Sequence, residues 1–311
     1  MDKKVLLLVA ALLTAGWLFS LQVDSKDDYL EWKKQYGVQW NGEEDSYRRL
    51  IFTKNVAAIE MHNLDTTQTY KMGVNQFTGL TEEEFVSYYL NPLRASENRA
   101  IVEREETTTN KLGQDIDWTS KGIVTPIKNQ GQCGSCWAFS AIAVVEAFYK
   151  QAKSQTVNLS EQQLVDCSKS YGNAGCNGGF NYKGLAFVKD HKATTTAKYP
   201  YHAKTETCKI QNGEYAISSV PTTKGCSGIA SAIQNHVIGV SVDATKWSSY
   251  KSGIFSNCGH NLNHDVTLVG YKSTEYKIKN SWGTSYGENG YIRLAPGNTC
   301  GICDDKSPWV S

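Results

Sequence analysis

The chain has almost no net charge, no uninterrupted apolar run of membrane-spanning length and no internal repeat or low-complexity tract. Its 311 residues include 32 Lys and Arg against 31 Asp and Glu, so no long-range field selects nucleic acid or an anionic membrane. The run from Val5 to Phe19 has 15 residues, whereas a spanning helix needs about 20. A hydrophobic share of 40% is typical of a soluble globular protein, and the length allows two domain-sized units.

The amino terminus is typical of a secretory signal peptide. Lys3 and Lys4 precede the apolar run, which is the order of a charged and then an apolar region. The alternative is a membrane anchor, which the short length disfavours. We assign residues 1–23 to the signal peptide and expect cleavage between Gly16 and Asp24.

Nine cysteines are many for a cytosolic protein. Disulfides persist in secreted and lumenal compartments, so this number indicates an oxidising location. The odd total leaves at least one thiol unpaired, and such a thiol is a candidate for reactivity. Eight cysteines allow about 105 pairings, so counting alone selects none of them.

The segment from Gln130 to Ser140 (GQCGSCWAFS after the glutamine) places Cys136 in a Gly/Ser turn just before a helix-like run. The first turn of a helix has unpaired N–H groups and a partial positive charge, which favour an anion. A thiol at that position tends to ionise, and the thiolate is the nucleophile. The sequence therefore predicts a catalytic cysteine.

Cys133 and Cys136 also form a C-x-x-C pair, which is compatible with a redox dithiol or half of a zinc site. No thioredoxin-like βαβ pattern surrounds it. The only rival zinc partner would be the pair Cys300 and Cys303. We therefore expect no metal and no cofactor.

The C-G-S-C-W motif resembles the nucleophile segment of papain and cathepsin enzymes, in which His and Asn follow about 130–150 residues later. Here His264 and Asn280 follow Cys136 by 128 and 144 residues. The chain resembles the full precursor of a papain-family cysteine peptidase of the cathepsin L type. The resemblance extends from about Tyr29 to the carboxyl terminus.

Two motifs resemble those of cathepsin L-like propeptides. Six residues recur at helical spacing along one stripe and match the pattern E-R-F-N-I-N: Glu44, Arg48, Phe52, Asn55, Ile59 and Asn63. Gly73, Asn75, Phe77 and Gly79 match G-x-N-x-F-x-D except in the last position. Gly79 replaces the usual Asp, so a pH-sensing role of this position is in doubt.

The resemblance implies an α+β, papain-like fold of two lobes, one helical and one β-barrel-like, preceded by a helical propeptide. Residues 24–110 would be the inhibitory propeptide and residues 111–311 the peptidase domain. The polar segment from Glu103 to Lys111 indicates an exposed linker, so the mature chain should begin between Thr109 and Gly113. In the mature part, Ser160 to Gln163 predicts a capping box that opens a helix.

The catalytic roles are carried over by motif position. Cys136 would be the nucleophile, held as thiolate by a protonated His264. Asn280 would orient the imidazole, and Trp282 would shield that hydrogen bond or simply pack in the core. The Gln130 side chain and the Cys136 N–H would stabilise the oxyanion.

The resemblance also implies a cleft for an extended peptide. Its candidate substrate-binding residues are Gly178, Gly179, Phe180, Asn181, Ser241, Asn263, Asp265, Trp282 and Asp305. Relatives usually have Ala or Gly where this chain has Asp265. Two carboxylates in one pocket suggest tolerance of Arg or Lys beside Phe or Leu at the second position before the cut. The alternative is that Asp265 or Asp305 points to solvent.

The family pattern pairs Cys133 with Cys176, Cys167 with Cys208, and Cys258 with Cys300. Cys226 and Cys303 would form a fourth bridge specific to this chain. The partners implied are peptide and protein substrates and the chain's own propeptide. We expect a monomer without nucleic acid or stable membrane insertion, in the secretory pathway, a lysosome-like vacuole or outside the cell.

Two other classes of function share this scaffold. A catalytically dead homologue would act as a binding or matrix protein, but such relatives typically lose the nucleophile that is present here. A peptide ligase or transamidase would need an amine to outcompete water, and nothing in the sequence indicates that. The short segment between Asp166 and Gly179 leaves no room for a dipeptidyl-peptidase loop, which favours an endopeptidase.

Overall fold

The computed structural model describes residues 28–97 and 113–311. The predicted signal peptide and the whole predicted linker lie outside these residues. Within the described parts, none of the helices combines the length and the apolar character needed to cross a bilayer.

The helices and strands follow one another in three groups. The predicted propeptide, residues 24–110, contributes a helix described over residues 28–36, named α1, and then α2 (Gly42–Leu64), β1 (Tyr70–Met72), α3 (Glu82–Tyr89) and α4 (Pro92–Glu97). The next group contains β2 (Ile116–Asp117), α5 (Cys136–Lys153), α6 (Glu161–Cys167) and α7 (Asn181–His191). The last contains β3 (Thr222–Thr223), α8 (Gly225–Ala232), β4 (Ile238–Val242), β5 (Tyr250–Phe255), β6 (His264–Lys272), β7 (Glu275–Lys279), β8 (Tyr291–Leu294) and β9 (Ser307–Pro308).

Helix α2 organises the propeptide through the predicted stripe. Phe52 is buried with aromatic residues of α1, while Arg48 is paired with Glu44 of its own helix and with Glu84 of α3. Asn55 donates to the carbonyl oxygens of Thr78 and Leu80 at 2.8 and 2.9 Å. Because Arg48, Asn55 and Asn63 are each bonded to a segment outside α2, the stripe fixes how the propeptide folds on this helix.

Gly79 lies against two tryptophan rings. A Cβ at this position would lie 2.5 Å from the Trp32 ring and 3.1 Å from the Trp40 ring, so a side chain would displace them. The Asp of the related motif is therefore sterically incompatible with this packing. Trp32 in turn donates from its indole N–H to the Asn75 carbonyl at 2.7 Å.

The helical lobe packs α5, α6 and α7 around a core that includes Trp137, Leu164 and Leu185. Ser160 begins α6 and accepts a hydrogen bond from the Gln163 N–H at 3.1 Å. The predicted capping box is wrong in its second half, because the Ser160 N–H donates to Thr194 O instead. The Gln163 side-chain oxygen accepts from the Thr194 N–H. The one lost reciprocal bond is replaced by two bonds to the Thr194 segment.

The second lobe is built on a mixed sheet of seven strands in the order β1-β5-β8-β7-β6-β2, with β4 paired to the start of β6 along the same edge as β2. All pairs are antiparallel except β5 with β8. The sheet is open, since no pairing joins its end strands among the described residues. Strand β1 of the propeptide extends this sheet, with Tyr70 opposite Gly253. The propeptide is thus attached to the lobe by strand pairing.

Eight of the nine cysteines form four disulfides, which leaves Cys136 as the free thiol. The pairs are the expected ones: Cys133–Cys176, Cys167–Cys208, Cys226–Cys303 and Cys258–Cys300. Cys133 is therefore not available as a dithiol partner of Cys136. Three of the bridges each join two cysteines of the same lobe, and the fourth joins α8 to the carboxyl-terminal segment.

The disulfide pattern predicts one titratable thiol. Protein denatured without reductant should react with one equivalent of thiol reagent, because only Cys136 is unpaired. A Cys136→Ser variant should react with none. Three equivalents in the unsubstituted protein would show that Cys226 and Cys303 are not joined.

Candidate active site

Cys136 is the first residue of α5 and is fully buried between the two lobes. Its sulfur accepts a hydrogen bond from the backbone N–H of Asp265, on β6, at a distance of 3.4 Å. Ser140, one turn further along α5, donates to Val266 O at 2.7 Å and so ties the helix to the same strand. These contacts place the free thiol at the start of β6.

His264 is the first residue of β6, and its side chain is held by two neighbours. Its Nε2 atom lies 2.8 Å from Asn280 Oδ1, which can only accept, so Nε2 carries the proton. The ring stacks on Trp282 with centroids 4.7 Å apart. Trp282 is itself buried under Phe77 and Phe85 of the propeptide. The imidazole orientation is therefore fixed by a hydrogen bond in a site shielded from water.

The other ring nitrogen of His264, Nδ1, has no hydrogen-bond partner among the described residues. The Asn280 interaction leaves Nδ1 unprotonated in the neutral ring, which suits it to accept a proton. In the precursor this nitrogen is not hydrogen-bonded to the Cys136 sulfur. Cys136 and His264 therefore lie at the same end of β6 without a hydrogen bond between them.

Burial determines the charge state of both groups. It raises the pKa of the Cys136 thiol to about 12, and the Asp265 carboxylate adds to this effect. Burial also lowers the pKa of His264 to about 4. Between these values both groups are neutral, because the thiol retains its proton and the ring has lost its own. Both shifts favour the neutral thiol and the neutral ring over the expected thiolate–imidazolium pair in the propeptide-covered form.

Gln130 lies beside Cys136 and has its amide oriented by the protein. Its Oε1 atom accepts from the Ser281 hydroxyl at 2.6 Å. Its Nε2 atom donates to Cys133 O and to Tyr89 O, both at 2.9 Å. Tyr89 ends helix α3, so a propeptide carbonyl occupies one of the donors predicted to bind the oxyanion.

The propeptide continues along the cleft through Asn91. Its backbone N–H donates to Asn263 O at 2.7 Å. Its side-chain amide donates to Gly179 O at 2.6 Å and accepts from the Gly179 N–H at 3.3 Å. Gly178 has φ +110, and a Cβ there would lie 2.1 Å from the Asn91 amide oxygen. The two glycines therefore allow the close approach that was expected for a bound peptide.

Arg94, on α4, fills the predicted specificity pocket. Its side chain is 3% exposed, and its Nε atom lies 2.8 Å from Asp265 Oδ1. A second guanidinium nitrogen pairs with Asp305. The guanidinium carbon lies 4.8 Å from the centre of the Phe180 ring. Both carboxylates thus face the pocket in this structure, contrary to the alternative in which one points to solvent.

Two further predicted pocket residues, Ser241 and Asn181, form hydrogen bonds with Asp265. Ser241, on β4, donates its hydroxyl to Asp265 Oδ1 at 2.7 Å, and the Asn181 N–H donates to Oδ2 at 3.1 Å. These bonds fix the carboxylate in the pocket wall. The sequence predicted that Trp282 would line the pocket, but its ring contacts His264 instead. The Trp282 carbonyl accepts a hydrogen bond from the Gln76 side chain of the propeptide at 2.7 Å.

Sequence reasoning missed Tyr89, Asn91 and Arg94, because no recognised motif covers the segment from Tyr89 to Arg94. The signal for Arg94 was available, since two carboxylates in a buried pocket require a cation in the precursor. Nothing in the sequence indicated that the Asn91 side chain would bond to a backbone glycine. Among the described residues, no group of His, Cys, Asp or Glu side chains has the arrangement of a metal site.

Comparison with protein families agrees with this geometry. Residues 112–308 match the papain family of cysteine proteases, and residues 29–85 match the cathepsin propeptide inhibitor domain. The chain therefore belongs to the papain family of cysteine proteases, and the covered cleft is the cleft of a protease with its inhibitory propeptide in place.

Individual relatives are similar over nearly the whole chain. Cathepsin L 2 of Paramecium tetraurelia is 40% identical over 290 residues, which is 91% of each chain. A cathepsin L-like proteinase of Fasciola hepatica is 38% identical and covers 95% of each chain. The recombinant stem bromelain precursor superposes with a TM-score of 0.82 at 35% identity, covering 93% of this chain and 99% of that one. Procathepsin L 3 from Tenebrio molitor larval midgut gives 0.80 at 32% identity, over 92% and 99%.

The pKa directions predict that Cys136 is unreactive in the precursor. Iodoacetamide at pH 6 should alkylate Cys136 at least about a hundredfold more slowly in the precursor than in mature enzyme, because only the thiolate reacts. Mass spectrometry of the Cys136 peptide measures both rates. Equal rates would contradict the assignment of a neutral, covered thiol.

Proposed function

We propose that this chain is the precursor of a cysteine endopeptidase that cleaves peptide bonds through a thioester and is activated by removal of its propeptide. The observation that carries the proposal is the free Cys136 at a helix N-terminus, beside a strand that begins with an Asn-oriented histidine. The same residue set argues against a dead homologue, because the nucleophile, base and orienting amide are all present.

Propeptide removal changes the electrostatics of the site. It uncovers Trp282 and the cleft, so water and substrate dipoles replace the apolar surroundings that keep Cys136 and His264 neutral. The His264 pKa then rises and the Cys136 pKa falls. The helix α5 N-terminus and the imidazolium favour the thiolate, which is the reactive nucleophile.

The chemistry proceeds in two halves. The Cys136 thiolate attacks the peptide carbonyl carbon, and the carbonyl oxygen becomes negative. The Gln130 amide, vacated by Tyr89 O, and the Cys136 N–H stabilise this oxygen, with each donor contributing about 3–4 kcal/mol by analogy with a measured oxyanion donor. His264 protonates the leaving amine, which releases the first product and leaves a thioester.

Hydrolysis of the thioester restores the enzyme. His264, now neutral, accepts a proton from the attacking water, and the tetrahedral intermediate expels the Cys136 sulfur. Asn280 holds the ring through both halves by accepting a hydrogen bond from the Nε2–H group. No metal or cofactor takes part in this scheme.

The pocket supports basic as well as apolar residues at the second position before the cut. Arg94 shows what the pocket holds in the precursor: a guanidinium between Asp265 and Asp305, over the face of Phe180. A substrate Arg or Lys could make the same pairs. Phe180 also offers apolar surface for Phe or Leu, so we propose dual acceptance rather than strict basic selectivity.

The four disulfides support folding in an oxidising compartment. We place the enzyme in the secretory pathway, with a lysosome-like vacuole or secretion as its destination. The predicted signal peptide at residues 1–23 agrees with this location but lies outside the described residues.

Activation should depend on Cys136. Acidified precursor should lose mass to a form that begins between residues 109 and 113 and should gain peptidase activity. The Cys136→Ala precursor should do neither. As a control for folding, added mature wild-type enzyme should trim the Cys136→Ala precursor to the same mass. Activity of the alanine variant equal to wild type would overturn the mechanism.

Subsite selectivity can be measured with paired fluorogenic peptides that differ only in Arg or Phe at the second position before the cut. Because the pocket carries two carboxylates and an aromatic face, kcat/KM for the two should lie within about a hundredfold, which corresponds to about 2.7 kcal/mol. Rejection of Arg by more than that factor at every pH tested would remove the acidic-pocket part of the proposal.

A further inference from the structure

Asp265 contacts both the specificity pocket and the nucleophile. Its backbone N–H donates to the Cys136 sulfur at 3.4 Å. Its carboxylate, with no exposed side-chain surface, lies 2.8 Å from the Arg94 guanidinium. One residue therefore touches the reacting sulfur with its main chain and the pocket cation with its side chain.

The Asp265 carboxylate is held rigidly in this place. Hydrogen bonds from the Ser241 hydroxyl and the Asn181 N–H engage both of its oxygens. A buried charge of this kind must be paired, because it has little water to solvate it. In the precursor Arg94 supplies the pairing charge, and propeptide removal takes that charge away.

The charges near Asp265 determine its effect on the thiol. The Asp265 carboxylate raises the pKa of Cys136, whereas the Arg94 guanidinium lowers it. The charged and titratable groups that face Asp265 come from four elements: Arg94 on α4, Asp305 near the carboxyl terminus, Cys136 on α5, and the neighbouring His264 on β6. In mature enzyme without substrate Arg94 is absent, so Asp265, whose pKa burial already raises, opposes the thiolate whenever its carboxyl group is ionised.

We propose that Asp265 is a specificity-determining residue that acts on the nucleophile as well as on binding. A cationic side chain at the second position before the cut neutralises Asp265 and thereby favours the Cys136 thiolate. A substrate with Arg or Lys there is selected partly through kcat, while an apolar residue leaves the carboxylate unpaired. This inference rests on the proposed peptidase function and deepens it.

Asp305 provides a matched control within the same pocket. Its carboxylate pairs with the same guanidinium, but its side chain is 29% exposed, so water screens its charge. It has no contact with Cys136 among the described interactions. Loss of Asp305 should therefore weaken binding of a basic side chain without changing the reactivity of the thiol.

The test uses mature enzyme and the paired Arg and Phe peptides. Wild type should show a kcat about tenfold higher for Arg than for Phe, the factor expected when an opposite charge shifts the pKa of a nearby group by about one. Asp265→Asn should lose this kcat advantage. Asp305→Asn should keep it and show a raised KM for the Arg peptide only. Asp265→Ala, which carries a residue usual in relatives, serves as the second variant if the Asn form folds poorly.

Alkylation supplies a readout that does not depend on turnover. The rate of iodoacetamide reaction with Cys136 is measured against pH, with and without saturating methylguanidinium as the pocket cation. In wild type the cation should move the acid limb about one pH unit lower. In Asp265→Ala the limb should already lie lower and should not respond to the cation, whereas Asp305→Asn should respond at higher cation concentration.

The inference is overturned if the Asp265 variants keep the kcat advantage for Arg, or if Asp265 and Asp305 variants alter KM alike and leave kcat unchanged. It is also overturned if methylguanidinium leaves the alkylation profile of wild type unchanged. These outcomes differ from failure of the proposed function itself, which would appear as activity in the Cys136→Ala enzyme.

Discussion

The rest of this structure depends on the contact between the two lobes that the hydrogen bond from the Asp265 N–H to the Cys136 sulfur makes. It joins the first residue of α5 to the beginning of β6, and so it joins the helical lobe to the sheet. The histidine, its asparagine partner and the stacked Trp282 are all placed by the same strand and the segment after β7. Displacement of α5 from β6 would separate the nucleophile from the base, although each lobe has its own core.

The propeptide covers the cleft with groups that resemble those of a bound peptide. The Asn91 side-chain amide offers Gly179 a donor and an acceptor, which are the groups that a peptide main chain would offer. Tyr89 O accepts from the Gln130 donor, and Arg94 supplies a side chain to the pocket. Each recognition element of the cleft is thus satisfied, yet α4 is helical and presents no extended peptide bond. Under the proposed function, substrate recognition would use the same groups that the propeptide covers.

The helical stripe of α2 was readable from the sequence because its members recur at helical spacing. The nucleophile segment and the roles of Cys136, His264 and Asn280 were readable because these residues resemble the motifs of the papain family. Contacts between distant segments were not readable in this way. Arg94 lies outside every motif, and the bonding of Ser160 to the Thr194 segment replaced a capping box that local sequence favoured. Charge states were equally inaccessible, because the pKa shifts of Cys136 and His264 arise from burial in the folded chain.

The neutral, covered state of Cys136 has a consequence for biosynthesis. Thiol–disulfide exchange needs a thiolate to attack a sulfur bridge, so a protonated thiol exchanges slowly. Cys133 stands only three positions away and must find Cys176 instead. By keeping its sulfur uncharged and out of contact with solvent, the folded precursor protects its own crosslinks from scrambling in the oxidising environment in which they form.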